Sequence, residues 1–338
     1  MRIDVIYQFN EKYAPYAGVS ITSLLENNKH MEAIRVFILG EEISEESILR
    51  FHLLEQRYER ELVFIDTEEQ ISRMKALGMP AYRGSYAANL RLFLPYLVDS
   101  SIEKLLYLDA DTVVAGRLDE LFCGTAGEYP IYMAYDSLGM EHKEEIGLNP
   151  EDGYYNSGVI LFQMKKWKEQ GLSDAIMNHV KTVRSNYPSP DQDLLNIVCR
   201  GQIGLLSPQF NFQPVHMAFS IKTYCRTYSV ESYYTEEELK MAGQQPCIYH
   251  FFRFLGEFPW DKGNVHPDNT LFDYYLRLSP WADYEKKKPE LALVFKMERL
   301  MYKILPGSIF LSIFKTAHRM FIKKSNDMSL QNKVNPDM

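Results

Sequence analysis

Three times within the first 76 residues a short apolar run gives way to a segment with helical spacing, and this alternation constrains the fold more than any other feature. Residues 3–9 are an apolar run, followed over 13–28 by Ala17, Ile21, Leu24 and Leu25 at helical intervals. Residues 34–39 are apolar and rich in β-branched side chains. Gly40 breaks them, and Ser44 precedes Glu45 and Glu46 as an N-cap with an acidic first turn ahead of Ile48, Leu49 and Phe51. Residues 62–65 read as a third strand, with a weaker helix to about Ala76. Strands joined by helical crossovers lie parallel, so the expected class is α/β, a mostly parallel sheet with helices on both faces. Ligands of such sheets bind beyond the carboxyl ends of the strands.

The next apolar stretch, residues 104–114, delivers two carboxylates separated by one residue, Asp109-Ala110-Asp111. Read as a buried strand running into a loop, it puts Asp109 and Asp111 on one side of an extended chain, because side chains alternate with period two. Hard oxygen ligands converging there suit Mg²⁺ or Mn²⁺, and a metal at a strand's carboxyl end is placed to grip a diphosphate. The same spacing also fits a loop carrying one helix cap, so the remaining polar residues must decide.

Residues 84–98 are apolar apart from Arg91 and read as a buried helix whose lone cation needs an anion: a structural carboxylate, a phosphate or one of the two aspartates. Residues 118–122 read as a short helical piece. Residues 131–135 form a strand ending in Asp136, and the polar stretch 137–152 reads as a mobile loop. Asn156-Ser157-Gly158 then stands at the mouth of an apolar strand, where an amide can meet a sugar hydroxyl and glycine permits close approach. Asp191-Gln192-Asp193 opens a helix over Leu194, Leu195, Ile197 and Val198, as caps or as ligand contacts. A single histidine, His250, lies in the apolar run Cys247-Ile248-Tyr249-His250-Phe251, after a strand at 203–206.

The formal charge of −8 excludes nucleic acid as a bulk partner, but it is unevenly spread. Between Glu285 and Met338 eleven Lys and Arg face five Asp and Glu, so the tail carries +6 and the body −14. The four cysteines have no metal-site spacing, which fits reduced thiols in a cytoplasm. The N-terminus lacks a signal-peptide core, and no run nears the roughly 18 apolar residues of a spanning helix. Beyond Pro289, Leu293, Met297, Leu300, Met301 and Ile304 alternate with Lys296, Arg299 and Lys303; after Pro306-Gly307, residues 309–314 precede Lys315, Arg319, Lys323 and Lys324. These read as two amphipathic helices suited to an anionic membrane interface, or packed on the body or in a dimer. The polar stretch 325–338 reads as disordered.

Taken in order, Arg91, Asp109-Ala110-Asp111, Asn156-Ser157-Gly158, Asp191-Gln192-Asp193 and His250 resemble the family 8 glycosyltransferases, retaining enzymes with a Rossmann-like GT-A fold. The resemblance runs from the first strand to about Trp260. It implies a catalytic domain over 1–284, with Asp109, Asp111 and His250 as ligands of Mn²⁺ (or Mg²⁺) that holds the diphosphate of a UDP-hexose. It further implies that Arg91 lies near the donor sugar and phosphates, that Asn156 and Asp191 contact sugar hydroxyls, and that Gln192 lies opposite the leaving group. The implied donor sugar is glucose or galactose, and the acceptor a saccharide or lipid-linked glycan of the cell surface. Such a protein is expected in the cytoplasm, peripheral on the inner face of the plasma membrane through the tail at 285–324. Two departures stand out. Bacterial relatives carry Asp and Asn where this chain has Asn10, still a nucleotide-contact candidate, and Lys12; and Phe258-Pro259-Trp260 replaces a Lys-Pro-Trp near the histidine. Two other readings are a haloacid-dehalogenase-type phosphatase, for which the motif sits too far into the chain, and a glycosyltransferase-like binding protein without turnover.

Overall fold

The structure, a computed structural model, describes residues 1–79, 86–125, 127–138, 143–183, 187, 189–228 and 233–317. Its strands are β1 (Arg2–Asn10), β2 (Ala33–Glu41), β3 (Glu61–Ile65), β4 (Lys104–Asp109), β5 (Thr112–Val114), β6 (Ile131–Tyr135), β7 (Tyr155–Gln163), β8 (Ile203–Leu205) and β9 (Ile248–His250). Seven of them form one sheet in the order β3-β2-β1-β4-β7-β6-β8. Every neighbouring pair is parallel except the two made by β7, which runs against β4 and β6. This is the expected mostly parallel α/β architecture.

Alternation along the central strands builds a core on each face. Val5, Tyr7 and Phe9 of β1, with Leu106 and Leu108 of β4, pack beneath the helices Ala14–Asn27 and Glu45–Tyr58. Ile6, Leu105 and Tyr107 point the other way, toward Met74, Trp167, Ile176 and Leu194 from helices on the opposite side. The cap expected at Ser44 is present: its hydroxyl accepts from the Ser47 amide at 3.2 Å.

Three local expectations are corrected. The apolar stretch around Arg91 is a 3-10 helix, Ala87–Phe93, followed by a single α turn, Leu94–Leu97. Pro95 offers no amide to an α-ladder and instead sits in the first turn of a new helix. Residues 104–114 are two strands: β4 ends at Asp109, the chain turns through Ala110 and Asp111, and β5 leaves the main sheet to pair with β9. Asp109 and Asp111 therefore meet across a turn, which the Thr112 hydroxyl closes by donating to the Asp109 carbonyl at 2.9 Å. The stretch 143–152 is anchored at two buried side chains, Lys143 and Leu148, while residues 145, 147 and 149–151 are exposed. Lys143 is buried and donates to the carbonyls of Pro150 and Asp152, the latter at 2.7 Å, and Leu148 lies against Tyr154. Residues 139–142 of that loop lie outside the described residues.

The tail forms two helices, Leu293–Ile304 and 307–317, separated at Pro306. Phe310 and Leu311 belong to the core, whereas Leu293, Val294, Met297, Leu300, Ile304, Ile309 and Ile313 are exposed. Arg299 ties the first helix down by donating to the fully buried Glu257 at 2.6 Å. Among the described residues no helix is long and apolar enough to cross a membrane. Arg319, Lys323, Lys324 and the stretch expected to be disordered, 325–338, lie outside the described residues.

Candidate active site

The end of β4, the turn that follows it and β9 bring Asp109, Asp111 and His250 together, one ligand atom from each lying within 4.8 Å of the others. Antiparallel pairing of β5 with β9 sets Thr112 opposite His250, and the Phe251 amide donates to the Asp111 carbonyl at 2.7 Å. His250 Nε2 lies 3.3 Å from Asp111 Oδ1 and 3.8 Å from Asp109 Oδ2. Its Nδ1 lies 3.0 Å from the Asn211 side-chain oxygen, a partner that fixes the ring and leaves Nε2 as the free lone pair. Burial works against the charged imidazole, but Asp111, and then Asp109, outweigh it and hold the pKa above the ordinary value. Two carboxylates and a neutral-nitrogen donor with a preset tautomer fit a divalent cation such as Mn²⁺ or Mg²⁺.

Gly158 owes its place to the same ring. A Cβ there would lie 2.1 Å from His250 Cε1, so only glycine lets β7 pass beneath the imidazole. The close approach read from Asn156-Ser157-Gly158 is thus an approach of protein to protein.

Arg91 is 4% exposed and bridges two carboxylates. It donates to Asp109 Oδ1 at 2.9 Å and to the Ser157 carbonyl at 2.5 Å, lies 3.3 Å from Asp191 Oδ2, and stacks 4.1 Å above the Tyr107 ring. Of the anions that could partner this cation, the structure supplies one aspartate of the metal pair and a second from the helix Pro190–Val198. Burial raises the pKa of Asp191, Arg91 opposes the rise, and the Ser157 hydroxyl donates to the carboxylate at 3.0 Å. The two acids flanking Gln192 divide the roles the sequence left open. Asp193 accepts from the Ser189 amide and from Tyr154 as part of the helix start, while Asp191 faces Arg91.

Gln192 is held from both ends. Its oxygen accepts from the Ser157 amide at 3.0 Å and from Asn156 at 3.4 Å, and its nitrogen donates to the Tyr154 hydroxyl at 3.0 Å and to Asp136 at 3.3 Å. Asn156 donates to Asp136 at 2.9 Å, and its oxygen accepts from Asn211 at 2.9 Å. One hydrogen-bond network therefore runs from Gln192 through Asn156 and Asn211 to His250. Asp136 and Asn211 are the members that sequence reasoning missed. Asp136 carried a signal, a carboxylate at the end of a strand; Asn211 carried none, since its partners are distant in sequence. Asn10 stands at the end of β1, Lys12 is exposed beside it, and Phe258 stacks on Trp260 with ring centroids 4.5 Å apart.

The family model for glycosyl transferase family 8 matches residues 4–262, which contain every side chain of this network. The chain belongs to glycosyl transferase family 8. Among its relatives is the lipopolysaccharide 1,2-glucosyltransferase of Escherichia coli K12, 24% identical over 298 residues, covering 87% of this chain and 83% of that protein. A lipopolysaccharide 1,3-galactosyltransferase of Salmonella typhimurium is 25% identical over 294 residues, covering 83% and 80%. A solved structure of the galactosyltransferase LgtC in complex with donor and acceptor sugar analogues superposes with a TM-score of 0.68 at 22% identity, covering 82% of this chain and 96% of that one. This family 8 chain therefore has the GT-A fold expected of it.

Proposed function

We propose that this glycosyltransferase moves glucose or galactose from a UDP-sugar to a saccharide or lipid-linked acceptor, with retention of configuration and dependence on Mn²⁺ or Mg²⁺. The observation that carries the reading is the convergence of Asp109, Asp111 and His250 at the carboxyl end of β4, with Asp191, Gln192 and Asn156 alongside. A divalent cation bound there supplies a Lewis acid for the charge developing on a departing diphosphate. Arg91 pairs with Asp109 and Asp191 together and so supplies a shared counter-charge to both carboxylates. Asn156 and Asp191 orient sugar hydroxyls. Gln192 is fixed by hydrogen bonds at both ends and its carboxamide is a poor nucleophile, so acceptor attack and UDP departure on one face are favoured over a covalent glycosyl-enzyme. The names of the lipopolysaccharide glycosyltransferase relatives support a cell-surface glycan as acceptor.

The same reading divides the chain into a catalytic unit, 1–284, a basic amphipathic tail, 285–324, and a terminal segment, 325–338. Leu293, Met297, Leu300 and Ile304 recur at helical spacing and are all more than half exposed, with Lys296 and Lys303 exposed on the same helix. An apolar stripe flanked by cations suits an anionic membrane surface and supports the reading of an enzyme docked on the cytoplasmic face of the plasma membrane, beside a lipid-linked acceptor. The test of function is UDP release from a panel of UDP-sugars by the purified protein, in Mn²⁺ and in EDTA. Metal-dependent release from one sugar is expected; no release, with no UDP binding in a calorimeter, would favour a binding protein without turnover.

A further inference from the structure

The helix Leu293–Ile304 has two different faces. Leu293, Met297, Leu300 and Ile304 are exposed, whereas Phe295, Arg299 and Tyr302 recur at helical spacing on another side and turn onto the body of the protein. All three meet one segment, residues 251–266, which leaves β9 directly after His250.

That segment contains a tight turn. The Phe254 amide donates to the Glu257 carbonyl at 2.9 Å and the Glu257 amide to the Phe254 carbonyl at 3.0 Å. Both residues between them have positive φ, Leu255 at 50° and Gly256 at 81°. Glycine takes this backbone freely, but for leucine it is strained, and a strained residue persists only where its surroundings over-determine it. Leu255 is itself buried, and the tail helix supplies further restraints. A Cβ on Gly256 would lie 2.6 Å from the Phe295 ring, so that ring rests directly on the turn. Arg299 donates to the fully buried Glu257 at 2.6 Å and to the Gly263 carbonyl at 2.5 Å. Tyr302 meets the Phe254 ring edge-on, with centroids 5.4 Å apart. The second oxygen of Glu257 accepts from the Val265 amide at 3.0 Å and ties the turn to the end of the segment. On the side of the site, the Phe252 ring stands at 86° to the His250 ring with centroids 5.0 Å apart, and His266 Nε2 lies 2.9 Å from the Phe252 carbonyl.

We propose that Phe295 and Arg299 are positioning residues for the metal site: they hold the strained turn at 254–257 and, through Phe252, the imidazole of His250. The proposal rests on the reading of Asp109, Asp111 and His250 as metal ligands. Without Arg299 the buried Glu257 carboxylate loses its counter-charge, and the turn is free to relax toward the backbone that Leu255 prefers. Ligand geometry tolerates little displacement, so a loosened 251–266 segment is felt first at the metal. The helix that carries the exposed apolar stripe on one face thus serves the donor site with the other, and the catalytic unit 1–284 depends on chain beyond its end to hold its cation.

The test is calorimetric titration of the full chain with Mn²⁺ alone, for Arg299→Met and Phe295→Ala, with Arg299→Lys as the conservative replacement. Leu54→Ala serves as the control, since Leu54 is fully buried in the helix Glu45–Tyr58, which packs on β3 at the far edge of the sheet. Thermal melts of the metal-free proteins measure the stability lost in each. Mn²⁺ affinity should fall about tenfold in Arg299→Met and Phe295→Ala, as for loss of other outer partners of a ligand, and recover in Arg299→Lys. Leu54→Ala should lower the thermal midpoint at least as much and bind Mn²⁺ as wild type does. Wild-type Mn²⁺ affinity in both Arg299→Met and Phe295→Ala would overturn the proposal and leave the metal site standing, as would an equal loss of affinity in Leu54→Ala. A wild-type protein that binds no Mn²⁺ would overturn the metal reading itself, and the positioning role with it.

Discussion

Replacing Gly158 with alanine puts a methyl group where the His250 ring now lies. The new Cβ would stand 2.1 Å from Cε1, 2.7 Å from Nε2 and 2.8 Å from Nδ1, whereas ordinary contact begins near 3.4 Å. The ring must retreat by about 1.3 Å, or β7 must bend away by as much. Neither movement is free: His250 is buried, its Nδ1 is held by Asn211, and Gly158 lies next to the β4–β7 ladder. Overpacking of this kind costs about 1–3 kcal/mol of stability. The effect on the metal should be larger, because ligand distances tolerate only about 0.2 Å. Nε2 would leave a set in which it now lies 3.3 Å from Asp111, and loss of the orienting contact alone is worth about 10- to 100-fold in affinity. Denaturant melts together with Mn²⁺ titration by calorimetry would measure both. A stable Gly158→Ala protein that binds Mn²⁺ as wild type does would refute the assignment of His250 as a ligand.

Arg91→Met removes a cation shared by Asp109 and Asp191 and leaves buried negative charge behind; urea unfolding should show a loss of about 3–5 kcal/mol, and a loss below 1 kcal/mol would contradict the bridge. Burial pushes the pKa of His216 down to about 3, so between roughly pH 6.5 and 3 the unfolded chain holds a proton that the folded chain lacks. Stability from this group is therefore complete well above pH 6.5 and falls by about 1.4 kcal/mol per pH unit on acidification, about 2 kcal/mol by pH 5. His216→Phe should remove that slope, and parallel pH profiles for the two proteins would refute it. For the tail, Met297→Glu with Leu300→Glu should abolish binding to anionic vesicles at an unchanged melting temperature, since both side chains are exposed; unchanged vesicle binding would refute membrane docking. Truncation after Tyr284 is a poorer test because it strips Phe310 and Leu311 from the core.

The βα alternation, the cap at Ser44 and the candidate residues that the fold brings together, Asp109, Asp111, Asn156, Gln192 and His250, were legible because each rests on local periodicity or on an ordered set of motifs. The turn at Ala110-Asp111 was not, since apolar residues continue on both sides of it and the reason to leave the sheet is a partner strand, β9, more than a hundred residues later. Asn211 was silent for the same reason: its role exists only where the loop after β8 meets β7 and β9. Asp191 and Asp193 could not be told apart in sequence, because either acid can serve the first turn of a helix. The break at Pro95 was visible in principle, but the apolar pattern on either side argued for one helix. Gly158 was noticed for the right property, lack of a side chain, and assigned to the wrong neighbour.

The most direct test of the central claim compares UDP release by wild type and Asp111→Asn across UDP-glucose, UDP-galactose and other UDP-sugars, with Mn²⁺ and with EDTA. The account predicts release from one hexose donor that depends on the metal and is lost in the variant, with the fold of the variant intact by circular dichroism. Full activity of Asp111→Asn, or wild-type release undiminished by EDTA, would contradict it.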